Sequence, residues 1–176
     1  MKQLLFLAAL IATIASCSPR LTPFTANLRN EYQWSEKDLK KIQFYLSEEI
    51  VLWREIRDGD AKIDDGAIKI RNGKKVEEIR FPKRTPGVFI VEPKTNNFGI
   101  AFENGNSKYL MFGPSKKRAD FVLLAADWKK DIGRISYGDR IYYTTDESAF
   151  ARLMVDLRSA QKLSVKRKTV EGRKIK

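Results

Sequence analysis

The chain has 176 residues, and at roughly 150 residues per domain this is the length of one domain; 43% apolar and 11% aromatic residues are enough for a packed core. Lysine and arginine number 34 against 22 aspartates and glutamates, giving a net charge of +12, with no histidine and a single cysteine. Those counts exclude disulfide scaffolds, Cys-His zinc sites and every catalytic set built on histidine.

The amino terminus has three zones: a basic start at Lys2, an apolar run over residues 4–14, then the small Ala15 and Ser16. This is the anatomy of a secretory signal, and the run is too short to span a bilayer. The lone cysteine, Cys17, follows directly. Ile14-Ala15-Ser16-Cys17 resembles the lipobox of bacterial lipoproteins, whose signal peptidase cuts before the cysteine. The resemblance covers the first seventeen residues. It implies a diacylglycerol on the Cys17 thiol and a further acyl chain on the new amino terminus. One such residue supplies the several lipid chains that stable anchoring takes. The family usually retains its members at the inner membrane through an aspartate after the cysteine; here stand Ser18, Pro19 and Arg20. The resemblance therefore implies the outer membrane of a Gram-negative bacterium. With no acidic cluster after Cys17, it implies a face turned toward the periplasm.

Residues 1–16 are accordingly expected as a signal peptide and 17–32 as a lipidated tether, since Pro19, Pro23 and scattered polar residues carry no sustained period. A mostly β globular domain is expected over 33–160 and a basic tail over 161–176. Ser35 and Asp38 make a capping-box start, and Leu39, Ile42 and Leu46 recur at helical spacing, which predicts one amphipathic helix over 35–46. Strand patterns follow over 49–56 and 67–71; Asn72-Gly73 is a strong hairpin signal, and the chain returns over 76–81. Further strands are expected over 88–91, 98–102, 109–112, 121–126, 132–136 and 140–145, and residues 149–157 read as a strand in preference to a helix. About eight short strands with turns at short intervals predict a single antiparallel β-sandwich or small barrel, led by one helix.

Little in this pattern points to catalysis. Asp58-Gly59-Asp60 and Asp64-Asp65-Gly66 suggest a calcium loop, but its fifth and twelfth positions hold Lys62 and Lys69 where acids are needed. Glu77, Glu78, Glu92, Glu103, Asp127 and Asp146 are the carboxylates available for an acid-base pair on a glycan, and no motif singles out two of them. Trp53 and Trp128, the latter beside Asp127, are the aromatic residues a sugar could stack on. Ser107-Lys108 and Ser115-Lys116 read as turn residues, and the segment from Gly113 lacks the spacing of a phosphate-binding loop. The chain is therefore expected to bind rather than to catalyse and to need no cofactor beyond the lipid on Cys17.

The carboxyl end is more distinctive. Lys162, Lys166, Arg167, Lys168, Arg173, Lys174 and Lys176 face the single acid Glu171. In a cytoplasmic chain such a tail suggests nucleic acid. Outside the cytoplasm the anions are lipid headgroups, envelope polymers and acidic protein surfaces, so nucleic acid is a poor expectation. The sequence thus predicts an envelope lipoprotein that docks a protein partner or an anionic polymer, with a glycan-binding or glycan-active protein as the alternative.

Overall fold

The computed structural model describes residues 19–56, 66–105, 107–116 and 119–164. The expected signal peptide, Cys17, the aspartate-rich stretch up to Asp65 and the tail beyond Ser164 lie outside the described residues.

Among the described residues, thirteen strands form two sheets, and every pairing is antiparallel. The seven-stranded sheet holds β1 (Leu21–Pro23), β2 (Gln43–Leu46), β6 (Pro86–Lys94), β7 (Asn97–Ala101), β8 (Leu110–Pro114), β9 (Phe121–Leu123) and β13 (Leu153–Asp156), in the order β1-β13-β2-β6-β7-β8-β9. The six-stranded sheet holds β3 (Ile50–Glu55), β4 (Ala67–Arg71), β5 (Lys74–Phe81), β10 (Asp127–Lys129), β11 (Ile132–Tyr137) and β12 (Arg140–Thr144), in the order β10-β11-β12-β3-β5-β4. The expected β-sandwich is the architecture found, with thirteen strands among the described residues where about eight were anticipated.

Isolated bridges Thr25↔Asp120 and Val122↔Arg152 bring β9 beside the opposite end of its own sheet. The seven-stranded sheet is therefore strongly curled, yet it is not closed into a barrel. Its concave side holds an aromatic core centred on Phe24, whose ring lies 4.9 Å from Phe121, 5.2 Å from Phe44, 5.7 Å from Phe98 and 6.1 Å from Trp34. Ile50, Leu52, Phe81, Ile135, Tyr137 and Tyr142 of the six-stranded sheet join this core from the other side.

Three sequence expectations change. Residues 21–32, expected as a tether, are part of the domain: β1 pairs with β13, Phe24 is fully buried, and Thr25 caps α1 (Ala26–Glu31) by accepting from the Leu28 N–H at 3.0 Å. Leu21, Phe24, Leu28 and Tyr32 are spaced three, four and four apart across a strand, a bridge residue and a short helix, so no one element's period marks Phe24 as core. The helix predicted from Ser35 starts there with its capping box, in which Asp38 accepts from the Ser35 N–H and hydroxyl and is held below its ordinary pKa by them. It ends after one turn, as α2 (Glu36–Leu39), and Gln43–Leu46 is strand β2. The apolar spacing changes from three (Leu39, Ile42) to two (Phe44, Leu46), which a helical period overlaps at Leu39, Ile42 and Leu46. The domain also runs past residue 160: α3 (Leu157–Ser164) carries Lys162, and Gln161 donates to the Tyr32 hydroxyl at 2.6 Å.

Candidate functional site

Strand alternation sends one set of side chains of the six-stranded sheet into the core and the other to an outer face that is open except at Val51 and Val76, which are buried there. The pairing register lines up Asp127, Arg134, Tyr143, Trp53, Glu78 and Ala67 as one row across its outer face. Trp53 anchors the row: its indole N–H donates to the Thr144 carbonyl at 3.2 Å, its ring meets Tyr143 at 5.4 Å, and the Arg71 guanidinium lies 4.9 Å from its centroid. Ile132, Ile141 and Tyr143 are exposed around it. A pocket of about 350 Å³ is lined by Trp53, Glu55, Arg71, Lys74, Val76 and Ile132. This end of the face is aromatic, apolar and cationic.

The other end has the opposite sign. A cleft of about 700 Å³ is lined by Glu48, Glu49, Glu78, Asp131, Asp146 and Glu147, with Phe150 exposed at its side. Arg80 is the one cation in its lining among the described residues; it donates to both Glu49 carboxylate oxygens at 2.7 to 3.1 Å, bonds that raise its pKa. Asp146 is pushed below the ordinary carboxylate range by a side-chain hydrogen bond with Glu147. Among the described residues, no three side chains of metal-ligating type converge as an ion site. In a chain of +12, this cleft is a local inversion of charge.

Of the sequence-selected carboxylates, Glu78 and Asp146 come together in the acidic cleft and the others are dispersed. Glu77 lies on the inner face, fully buried, bonded by the Arg54 Nε and approached by Arg140 Nη1 at 3.4 Å. Glu78 is shared by Lys69 and Arg80. Glu92 takes a fork of bonds from Arg29 at 2.6 and 2.8 Å and a third from the Asn96 N–H, tying α1 to the β6-β7 hairpin. Burial pushes Glu92 up, and these bonds with the Arg29 charge more than reverse that, leaving it below its ordinary value. Glu103 accepts from the Tyr137 hydroxyl at 2.6 Å and pairs with Lys108. Asp127 is exposed on β10, and Asp146 belongs to the acidic cleft.

Neither tryptophan is an open platform. Trp128 packs over Gly133, where an added Cβ would stand 2.9 Å from the indole, and it covers the edge of the core. One side of Trp53 is flanked by Arg71. Of the basic residues selected at the carboxyl end, Lys162 is exposed on α3, and Lys166, Arg167, Lys168, Arg173, Lys174 and Lys176 lie outside the described residues, as does the lipidation position Cys17.

Sequence reasoning missed the buried cluster of Arg54, Glu77, Arg140 and Tyr142. Burial, with the Glu77 charge, raises the Tyr142 pKa, and hydrogen bonds and charge from Arg54 and a bond from Arg140 oppose the rise. The signal was present: Arg54 shares the parity of Ile50 and Leu52, Glu77 that of Ile79 and Phe81, and Arg140 that of Tyr142, so each charge sits at a core-facing position.

What fold and surface define together is an antiparallel two-sheet β-sandwich with one sheet face left to solvent and polarised from aromatic-cationic to acidic. The chain matches no protein-family model, no curated protein and no solved structure.

Proposed function

We propose that the chain is a lipid-anchored binding module of a bacterial envelope, held to the outer membrane through Cys17 and docking a protein partner through its six-stranded sheet. The observation that carries the docking is the uncovered outer face, where Ile132, Ile141 and Tyr143 are exposed beside Trp53 and Arg71. Contiguous apolar surface rimmed by charge on a monomer is a feature of interaction sites, and aromatic residues and arginine are the types that dominate their energetics. The Ile14-Ala15-Ser16-Cys17 motif supports the anchor. The packing of Trp128 over Gly133, which leaves no open aromatic platform beside Asp127, favours binding over glycan turnover.

Lipid on Cys17 would confine the domain to within reach of one membrane, so the face would search for its partner at high local concentration. The basic tail, on this reading, adds attraction to anionic headgroups or polymers near the anchor. Crosslinking in intact cells, followed by mild detergent extraction, tests the proposal. The expected result is a discrete crosslinked species lost in a Tyr143→Asp, Ile141→Asp variant; recovery only as an uncrosslinked monomer contradicts it.

A further inference from the structure

The six-stranded sheet ends on β4, all five of whose residues are exposed, and among the described residues no strand pairs with its outer side. Asn72 and Gly73 both have positive φ, 50° and 76°, so β4 and β5 are joined by a two-residue turn that makes Arg71 and Lys74 a hydrogen-bonded pair. Hydrogen-bonded and open pairs alternate along an antiparallel ladder. Ala67, Lys69 and Arg71 therefore bond to β5, whereas Ile68 and Ile70 aim their N–H and C=O groups at the free edge. The same two residues put large apolar side chains into solvent, 56% and 77% exposed. Soluble proteins ordinarily shorten, twist, cover or charge such an edge, because it templates further strand pairing.

We infer that β4 is a docking edge that takes an extended acidic segment of the partner protein as a seventh strand of this sheet. The inference rests on the docking reading above and deepens it. Charge selects the occupant: β4 carries Lys69 and Arg71 and no acid, and although Lys69 pairs with Glu78 and Lys74 with Glu55, the stretch 67–76 sets four cations, Lys69, Arg71, Lys74 and Lys75, against those two carboxylates. A second copy is disfavoured: antiparallel self-pairing centred on Lys69 sets Lys69 against itself, pairing centred on Ile70 sets Lys69 against Arg71, and like charges directly opposite destabilise a sheet, while pairing centred on Ile68 overlaps only Ala67 to Lys69 of each strand. The complementary strand alternates, with acidic side chains on the Lys69 and Arg71 side and apolar ones beside Ile68 and Ile70. Backbone bonds from Ile68 and Ile70 supply the pairing, and the alternation supplies the register.

The probe is a capped seven-residue peptide alternating glutamate and valine, added to the full-length detergent-solubilised protein, with a lysine-valine peptide of equal length as control. Binding is read by anisotropy and by amide hydrogen exchange. The acidic peptide is expected to bind and to slow exchange at Ile68 and Ile70 by about tenfold or more, while the basic peptide does neither. Ile68→Pro removes an outward N–H without breaking a bond to β5, and is expected to weaken binding about fivefold to tenfold, the value of one or two hydrogen bonds. Lys69→Glu, which keeps the backbone, is expected to weaken the acidic peptide and admit the basic one. Absence of binding, protection elsewhere, equal binding to both variants, or slowed exchange at Ile68 and Ile70 on self-association without peptide would each overturn the inference. If the crosslinked partner of intact cells survives Ile68→Pro unchanged, the edge assignment fails while the docking reading stands; if no partner is crosslinked, the reading itself fails.

Discussion

Replacing Glu77 with glutamine changes almost no volume and removes one negative charge from the inner face of the six-stranded sheet. The Glu77 side chain is 1% exposed, and the guanidinium groups of Arg54 and Arg140 that approach it are on side chains 12% and 28% exposed. Glutamine leaves those cations without their anion in a place where water compensates poorly. Breaking a buried pair from one side costs about 3 to 5 kcal/mol, and the partial exposure of Arg140 puts the expectation at the lower end, about 3 kcal/mol. For a domain of this size that corresponds to a fall in Tm of roughly 6 to 12 °C. Urea unfolding monitored by the fluorescence of the buried Trp34 measures it directly. The double variant Arg54→Met, Glu77→Leu is expected to lose less than Glu77→Gln alone, because a buried pair replaced by apolar groups is nearly neutral while a broken pair is not. A loss below about 1 kcal/mol for Glu77→Gln, or a double variant less stable than the single, would refute the assignment of these residues to a mutually dependent buried cluster.

Other consequences are open to measurement. Phe24→Ala empties the centre of the aromatic core and is expected to cost about 3 to 5 kcal/mol, checked by the same urea transition; a cost near zero would mean that residues 21–32 do not belong to the folded domain. The Glu92 carboxyl is depressed in the folded chain, so its stabilisation is fully present above the unfolded-state value of about 4.3 and is lost as the pH falls through the lower folded value. The stability difference between the natural chain and Glu92→Gln should thus be constant from pH 7 to pH 5 and shrink below about pH 4; a difference independent of pH contradicts the pairing with Arg29. Removal of residues 165–176 from a Cys17→Ser chain takes away six basic residues, each contributing about 1 kcal/mol near an anionic surface. Association with phosphatidylglycerol vesicles at low salt should fall on the order of a hundredfold or more, and unchanged association would leave the tail without a membrane role.

The β pattern was legible because the strands alternate. In Ile132–Tyr137 the buried Ile135 and Tyr137 alternate with the exposed Arg134 and Ser136, Phe98 and Ile100 stood out as core positions, and Asn72-Gly73 marked its hairpin. The misreadings share a physical cause. Residues 35–46 satisfied two periods over too short a span for one to win, and tertiary pairing with β6 and β13 decided for strand at Gln43–Leu46. Phe24 went unread because its apolar neighbours Leu21, Leu28 and Tyr32 belong to a strand and to a short helix and its cap, which share no single period, although Thr25 was a readable helix cap. The face of the six-stranded sheet was half visible. Trp53 stood out by type, but its contact with Tyr143 depends on the β12-β3 register, and the acidic cleft draws carboxylates from residues nearly a hundred positions apart. Pairing across such distances leaves no local trace in the chain.

The claim that organises the function is covalent anchoring at Cys17, and intact-mass spectrometry of the protein extracted from membranes with mild detergent tests it most directly. The account predicts a polypeptide beginning at Cys17, heavier than its amino-acid mass by one diacylglycerol and one further acyl chain, with both processing and membrane retention abolished by Cys17→Ser. An unmodified chain, cleavage at another bond, or a Cys17→Ser protein that is processed and retained as before would contradict it.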